Sequence, residues 1–329
     1  MVMVMILITG GSGYVGSHVI KLLNNNGYET INIDNLERGH ERFNKWGEFI
    51  QADVGDYDKL KEIFSNYPIE GVMHFAAYAY VDESIKYPDL YFKNNYENTL
   101  NLLKVMREEN VKNFIFSSTC SIFGDSGCDL INENTPVNPI NPYAESKLLV
   151  EKALKKEAKL YDLKYVSLRY FNAAGDDPDC EIGEDHNPET RIIPLTLAAA
   201  SGIRKDITIF GSDYPTPDGT CVRDYVHVND IAQAHIKAFE YLLDGGESDS
   251  FNIGNGKGFS VKEVIQTCKK VTGRDFPVIM GDKRPGDPAI LVADSTKIRE
   301  KLNWNPKFDN LEDIVETAWN WHKKLHSIK

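Results

Sequence analysis

The chain has 329 residues, 42% of them hydrophobic and 26% charged, enough length and apolar content for one large or two modest packed domains. With 37 basic and 49 acidic residues the net charge is −12, which argues against a nucleic-acid partner, since that would call for a basic face. Cys120, Cys128, Cys180, Cys221 and Cys268 are scattered without a C-x-x-C pair, so neither a disulfide framework nor a zinc site is predicted, and reduced thiols in a cytoplasmic protein are expected.

No stretch reaches the roughly 20 apolar residues of a membrane-spanning helix. The opening MVMVMILI reads as a buried parallel strand rather than a signal peptide, because glycines follow at once. The first predicted strand covers residues 3–9. It runs into TGGSGYVG, with Gly10, Gly13 and Gly16 spaced T-G-x-x-G-x-x-G, and then into a helical stretch at 18–24. Glycines at a strand-to-helix turn let backbone N–H groups approach a pyrophosphate closely. A second strand, 30–34, ends in Asp34, about twenty residues past the glycines, where an acid binds the adenosine ribose hydroxyls. Because that acid would repel a 2′-phosphate, NAD is favoured over NADP.

Further strands are predicted at 49–52, 71–75, 113–117 and 165–170, with helices at 57–64, 91–110 and 142–161 between them. Apolar strands alternating with helices predict an α/β fold, a Rossmann-like doubly wound parallel sheet. After Asn172 the pattern changes. Residues 173–188 read as a loop and 194–201 as a helix. A Gly/Pro/Asp-rich stretch spans 211–219, and a helix starts near Val228 and continues over 230–243. A short strand is predicted at 250–254, a mainly helical tail from Ser260, another strand at 275–280, and a terminal helix at 311–325 whose Trp319 and Trp321 pack the core. The second half reads as a smaller mixed region on the dinucleotide fold.

Tyr143 and Lys147 form Y-x-x-x-K on a predicted helix that opens at Pro142, so both project from one face. A phenol with its usual pKa near ~10 is a poor base at neutral pH, and a neighbouring ammonium favours its ionised form. The strand at 113–117 leads into Ser117, Ser118 and Thr119, hydroxyls at the carboxyl edge of a parallel sheet, where ligands bind and a proton can be relayed to Tyr143. His74 and His227 each follow a hydrophobic run and read as structural, and no His/Asp/Glu group has metal-ligand spacing.

The stretches TGGSGYVGSH, DNL, HFAA, IFSSTCSIFGD, NPYAESK, LRYFNAAG and GTCVRDYVHVND together resemble the extended short-chain dehydrogenase/reductase superfamily. RYFNAAG, IFGSDYPTPDGTCVRDYVHV and RPGDPAILVAD resemble its UDP-glucose 4-epimerase branch, from Ile6 to Trp321. The resemblance implies an NAD-binding Rossmann part at 1–172, rejoined by 225–254, and a UDP-sugar-binding region at 173–329, mainly 173–224 and 255–329. It implies Tyr143 as general base and acid at the sugar C4 hydroxyl, Thr119 as its hydroxyl partner, and Lys147 on the cofactor ribose, lowering the tyrosine pKa. NAD contacts are implied for Gly10, Gly13, Tyr14, Val15, Gly16, Asp34, Asn35, Asp53, Val54, Phe75, Ala76, Ala77, Asn94, Ser117, Tyr143, Lys147 and Tyr170. Substrate contacts are implied for Thr119, Tyr143, Asn172, Arg191, Phe210, Arg223, Arg284, Asp287 and Leu291.

The implied reaction is reversible inversion at C4 of UDP-galactose and UDP-glucose through a 4-keto sugar, with NAD kept in place, in a homodimer built through the helices at 91–110 and 142–161. Three positions depart from the commonest pattern. Ala79 stands where some relatives have Lys. Arg191 stands where Asn or His is frequent. Leu291 is intermediate in size at the position that gates the sugar, which leaves a UDP-N-acetylglucosamine or bifunctional 4-epimerase open. A 4,6-dehydratase would carry an Asp–Glu pair after Thr119, where Cys120 and Ser121 stand instead. A non-enzymatic NAD-binding protein would have lost Tyr143 or Lys147.

Overall fold

The computed structural model describes residues 4–284 and 287–328. Met3, in the first predicted strand, and Pro285 and Gly286, within RPGDPAILVAD, lie outside the described residues. In chain order the elements are β1 (Met5–Thr9), α1 (Tyr14–Asn25), β2 (Glu29–Asp34), β3 (Glu48–Gln51), α2 (Tyr57–Asn66), β4 (Ile69–His74), α3 (Val81–Lys86), α4 (Pro88–Tyr91), α5 (Asn98–Glu108), β5 (Asn113–Thr119), α6 (Pro142–Tyr161), β6 (Lys164–Tyr170), β7 (Asn172–Ala174), α7 (Ile192–Ala200), β8 (Ile207–Phe210), β9 (Val222–His227), α8 (Val228–Leu243), β10 (Asp249–Ile253), β11 (Gly258–Ser260), α9 (Val261–Thr272), β12 (Val278–Gly281), β13 (Ile290–Leu291), α10 (Thr296–Leu302) and α11 (Leu311–Leu325).

Seven strands form one parallel sheet in the order β10-β6-β5-β4-β1-β2-β3. Alternate strand residues point to opposite faces. Ile6 and Ile8 therefore join Val19, Leu23, Phe239 and Trp304 on the face covered by α1 and α8. Leu7 and Ile31 join Leu60, Leu102, Met106, Val150 and Leu154 on the face covered by α2, α5 and α6. Strand order reverses between β2 and β4 on either side of β1, and a crevice at such a reversal is where a doubly wound sheet takes its ligand.

The remaining strands form two small sheets, β11-β9-β13 with β7 beside β9, and β12-β8. They hold residues 207–210, 222–227 and 290–291 on the carboxyl side of the large sheet through β7, which follows β6 directly. Several expectations need revision here. The helix expected over 91–110 is α4, a π-helical turn at Phe92–Glu97, and α5. The loop expected over 173–188 begins inside β7, because Asn172–Ala174 finds a partner in Tyr225–His227. The strand expected at 275–280 is Val278–Gly281, paired with β8. β8, β9, β11, β13 and α3 had no counterpart among the predicted elements.

Candidate active site

The groove for a dinucleotide starts where β1 ends. Gly10 has φ +72°, and a Cβ there would stand 2.5 Å from the backbone nitrogen of Ala76. Gly16 is closed in as tightly, since its Cβ would lie 2.5 Å from the Gly10 carbonyl oxygen. Any side chain at either position would drive the turn apart. α1 follows with Gly13 as its N-cap and no side-chain cap, so the first-turn N–H groups of Tyr14, Val15 and Gly16 and the positive end of the helix dipole are left for an anion. The Tyr14 hydroxyl donates to the Gly175 carbonyl and ties this turn to the segment after β7.

At the end of β2, Asp34 accepts the Ser12 N–H at 3.0 Å through one oxygen and the Leu36 N–H at 2.8 Å through the other. That fixes its orientation and leaves lone pairs for ribose hydroxyls. Burial raises its pKa, and the two N–H bonds oppose the rise. Asn35 donates to Asp53 at 2.8 Å just past β3, beside the buried Val54. Phe75, Ala76 and Ala77 run on from β4, with the Phe75 N–H on the Thr9 carbonyl at 2.9 Å. All of these lie at the carboxyl ends of β1 to β4. An uncapped helix N-terminus and an oriented acid along one groove fit NAD.

α6 is started by Asn141, whose side chain accepts the Ala144 N–H at 2.9 Å. It carries Tyr143 and Lys147 on one face. The Tyr143 phenol closely faces the Thr119 hydroxyl, which itself donates to Ser121 Oγ at 3.1 Å and accepts the Ser121 N–H at 3.1 Å. Burial raises the phenol's pKa; the Thr119 hydroxyl and the Arg191 charge work the other way. Lys147 Nζ donates to the Ser117 carbonyl at 3.0 Å, and burial pushes its pKa down to about 7. The Ser117 hydroxyl is bonded to the Tyr170 hydroxyl at the end of β6. Thr119, Tyr143, Lys147, Ser117 and Tyr170 thus meet where β5, β6 and α6 converge.

A second group lies around β9. Arg223 pairs in register with Leu291 of β13, and its guanidinium donates to the Pro288 carbonyl at 2.8 Å and stands 3.6 Å from the Asp287 carboxylate. The Arg284 guanidinium lies 4.0 Å from the Phe210 ring centre. Leu291 packs on the cluster of Cys120, Ile122 and Phe123, directly after Thr119, and Arg223, its partner in register, acts on the Cys120 thiol, which brings this guanidinium toward the end of β5. Asn172 lies in β7 beside Tyr225 of β9. Arg191 stands apart from Arg223 and Arg284. It precedes α7, ion-pairs with Glu184, and sits 5.4 Å from the Tyr14 ring centre, on the cofactor side.

Sequence reasoning passed over several residues that shape this site. Asn94 has a half-buried side chain that donates to Asn95 at 3.1 Å, and Asn95 is the fully buried one. Asn95 accepts the Tyr78 N–H at 2.8 Å and donates to the Tyr78 carbonyl at 3.0 Å and to Ser146 at 3.1 Å, joining the segment after β4 to α6. Glu184, buried and bonded by Arg191, had no local signal in the sequence beyond its acidic character. His74 and His227 are structural as expected. His74 bridges the hydroxyls of Thr9 (2.6 Å) and Thr99 (2.8 Å), and burial lowers its pKa to about 3. His227 caps α8 through the Asn229 N–H at 3.1 Å and stacks on Phe308 with ring centres 3.9 Å apart.

Residues 6–254 match the sequence profile of the NAD dependent epimerase/dehydratase family. The UDP-glucose 4-epimerase of Halalkalibacterium halodurans is 49% identical over 97% of this chain and 96% of its own. The crystal structure of UDP-glucose 4-epimerase from Brucella ovis in complex with NAD matches with a TM-score of 0.95 at 43% identity, covering 97% of this chain and 98% of that one. The UDP-Glc/GlcNAc 4-epimerase of Campylobacter jejuni matches with a TM-score of 0.86 at 40% identity, covering 98% and 99%. The chain belongs to the NAD dependent epimerase/dehydratase family.

Proposed function

We propose that the protein is an NAD-dependent UDP-sugar 4-epimerase that interconverts UDP-galactose and UDP-glucose. The observation that carries this reading is the meeting of Tyr143 and Lys147 of α6 with Ser117 and Thr119 of β5, in a chain whose α1 opens with an uncapped N-terminus. NAD, when bound, supplies the hydride acceptor and donor at the sugar carbon. Tyr143 takes the C4 hydroxyl proton and gives it back, and Thr119 holds the phenol and the sugar oxygen in line. Lys147 holds the cofactor ribose and, in this reading, favours the phenol's ionised form, as the Arg191 charge also does. Arg223 and Arg284 grip the pyrophosphate of UDP as charge-assisted, bidentate donors, while the sugar is held loosely enough to turn.

In this reading residues 1–172 with 225–254 bind the cofactor, and 173–224 with 255–329 bind UDP-sugar. The return of β10 to the edge of the large sheet supports that division. Arg191 serves the phosphates from the cofactor side. A second reading, the same inversion on UDP-N-acetylated sugars, is favoured by Leu291, which leaves more room than an aromatic ring would.

We also propose a homodimer through the helices at 91–110 and 142–161. Half-exposed Phe92, Tyr96 and Leu100 form a stripe at four-residue spacing, as do Leu149 and Ala153 on α6. Light scattering on the purified protein tests it, and a monomer at micromolar concentration refutes it. Five free cysteines favour a cytoplasmic setting. The decisive experiment for the activity is incubation with UDP-galactose and no added NAD. UDP-glucose is the expected product, and its absence in protein shown to contain NAD overturns the assignment.

A further inference from the structure

α6 carries Lys147 and, four residues on, Glu151. Opposite charges at that spacing face each other on a helix and ordinarily pair. Both side chains are buried, with Lys147 4% and Glu151 2% exposed. A buried ammonium with no carboxylate partner is strongly drawn to one. Yet among the described residues Lys147 has no ion pair, and its Nζ rests on the Ser117 carbonyl at 3.0 Å. Glu151 is taken elsewhere. It accepts Arg169 Nε at 2.9 Å and Nη2 at 2.6 Å, a two-point clasp, and the Ser118 hydroxyl at 2.7 Å. Arg169 comes from β6, next to Tyr170, and Ser118 lies between Ser117 and Thr119 on β5. One carboxylate therefore ties α6 to both strands whose hydroxyls line the site, one helical turn on from Lys147.

We propose that Arg169 is a positioning residue for Lys147: by occupying Glu151 it keeps the ammonium on β5, at the edge where the cofactor binds, and off its helical neighbour. Burial lowers the pKa of Lys147 to about 7, with no counter-charge among the described residues opposing it. The proposal rests on the reading that Lys147 serves the cofactor.

The test compares Arg169→Met, Glu151→Met/Arg169→Met and Lys147→Met in the full-length protein. Three quantities are read: kcat and KM for UDP-galactose in NAD-loaded enzyme, and the Kd for NAD of the apoprotein from tryptophan fluorescence. Arg169→Met frees Glu151 to take Lys147. Its kcat is expected to fall about tenfold or more and its NAD Kd to rise, with KM for UDP-galactose within about twofold of the parent. The double variant removes the competing carboxylate and replaces a buried pair with apolar side chains, which folds are known to tolerate. It is expected to recover both quantities to within about threefold of the parent. A role confined to stability would give no such recovery.

The proposal is overturned if Arg169→Met leaves kcat and the NAD Kd unchanged, or if the double variant folds and is as impaired as the single one. Should Arg169→Met fail to fold, the folded double variant decides: parental values support the proposal, and a tenfold loss refutes it. Lys147→Met separates the two levels. If it keeps full kcat, the cofactor role of Lys147 falls and this proposal with it. If it loses kcat while the double variant stays impaired, this proposal alone falls.

Discussion

Asn95→Ala is the perturbation whose cost can be worked out most directly. The side chain is 1% exposed, and it holds both backbone polar groups of Tyr78, itself 8% exposed, as well as the Ser146 hydroxyl. Truncation leaves the Tyr78 N–H and C=O without partners. Each buried group left so costs about 1–3 kcal/mol, for a total of about 2–6 kcal/mol. A water entering the amide-sized space recovers part of this, since such a site is polar and roomy enough to hold one, so about 3 kcal/mol is the expected net loss. The assay is urea denaturation of NAD-loaded protein, with the midpoint falling and the m-value unchanged. Tyr78 follows Ala76 and Ala77, so NAD retention through gel filtration should fall as well. Asn94→Ala, one residue away, removes a half-buried amide and should leave the unfolding free energy within about 1 kcal/mol of the parent. A loss under about 1 kcal/mol for Asn95→Ala, or equal losses for the two variants, would refute the reasoning.

Tyr143→Phe is expected to abolish turnover while UDP-sugar binding, measured by calorimetry, largely survives; near-normal activity would remove the proton-transfer role. Leu291→Tyr should lower the rate on UDP-N-acetylglucosamine relative to UDP-glucose, and an unchanged ratio in a paired assay would show that this position does not gate the sugar. Acid should destabilise the fold through buried neutral histidines. His74 and His227 sit near pKa 3, and His18 and His235 near 4, all lowered by burial from the usual 6.5. Between those values and 6.5 the unfolded chain binds the extra protons, so stability is full above about pH 6.5 and is lost as pH falls, by up to about 1.4 kcal/mol per pH unit for each histidine. Urea midpoints taken from pH 8 to pH 5 check this, and a flat profile below pH 6.5 would contradict it.

The large sheet was legible because its strands carry their own signal. Phe114, Ile115 and Phe116, at the centre of residues 113–117, are apolar on both faces, as a strand buried on both sides must be, and the structure extends the strand only to Thr119. The start of α8 at Val228 was also readable, since the helical pattern begins directly after His227, its cap. The small strands were not readable. β13 has two residues and β11 three, and each exists only because β9 lies alongside. The π-helical turn at Phe92–Glu97 has the composition of the helix around it, and nothing local marks its wider turn. In the site, Gly10, Asp34, Tyr143 and Lys147 were found because their chemistry depends on short spacings. Asn95, Arg169 and Glu184 escaped because what they do depends on Tyr78, Glu151 and Arg191, partners that only the fold brings to them.

β10 has a consequence for how the molecule is made. β6 ends at Tyr170, and its outer neighbour in the sheet begins at Asp249, with residues 171–248 between them. On the ribosome, Val166 and Leu168 emerge with one side of their strand unpaired, and they stay so until α8 and β10 have followed. An unfinished sheet edge of this kind invites pairing with another nascent chain. Synthesis of the β7–β9 segment is therefore also the interval during which the large sheet is vulnerable. A chain cut after Asn172 would keep every glycine of the opening turn and lose the strand that closes the sheet behind them.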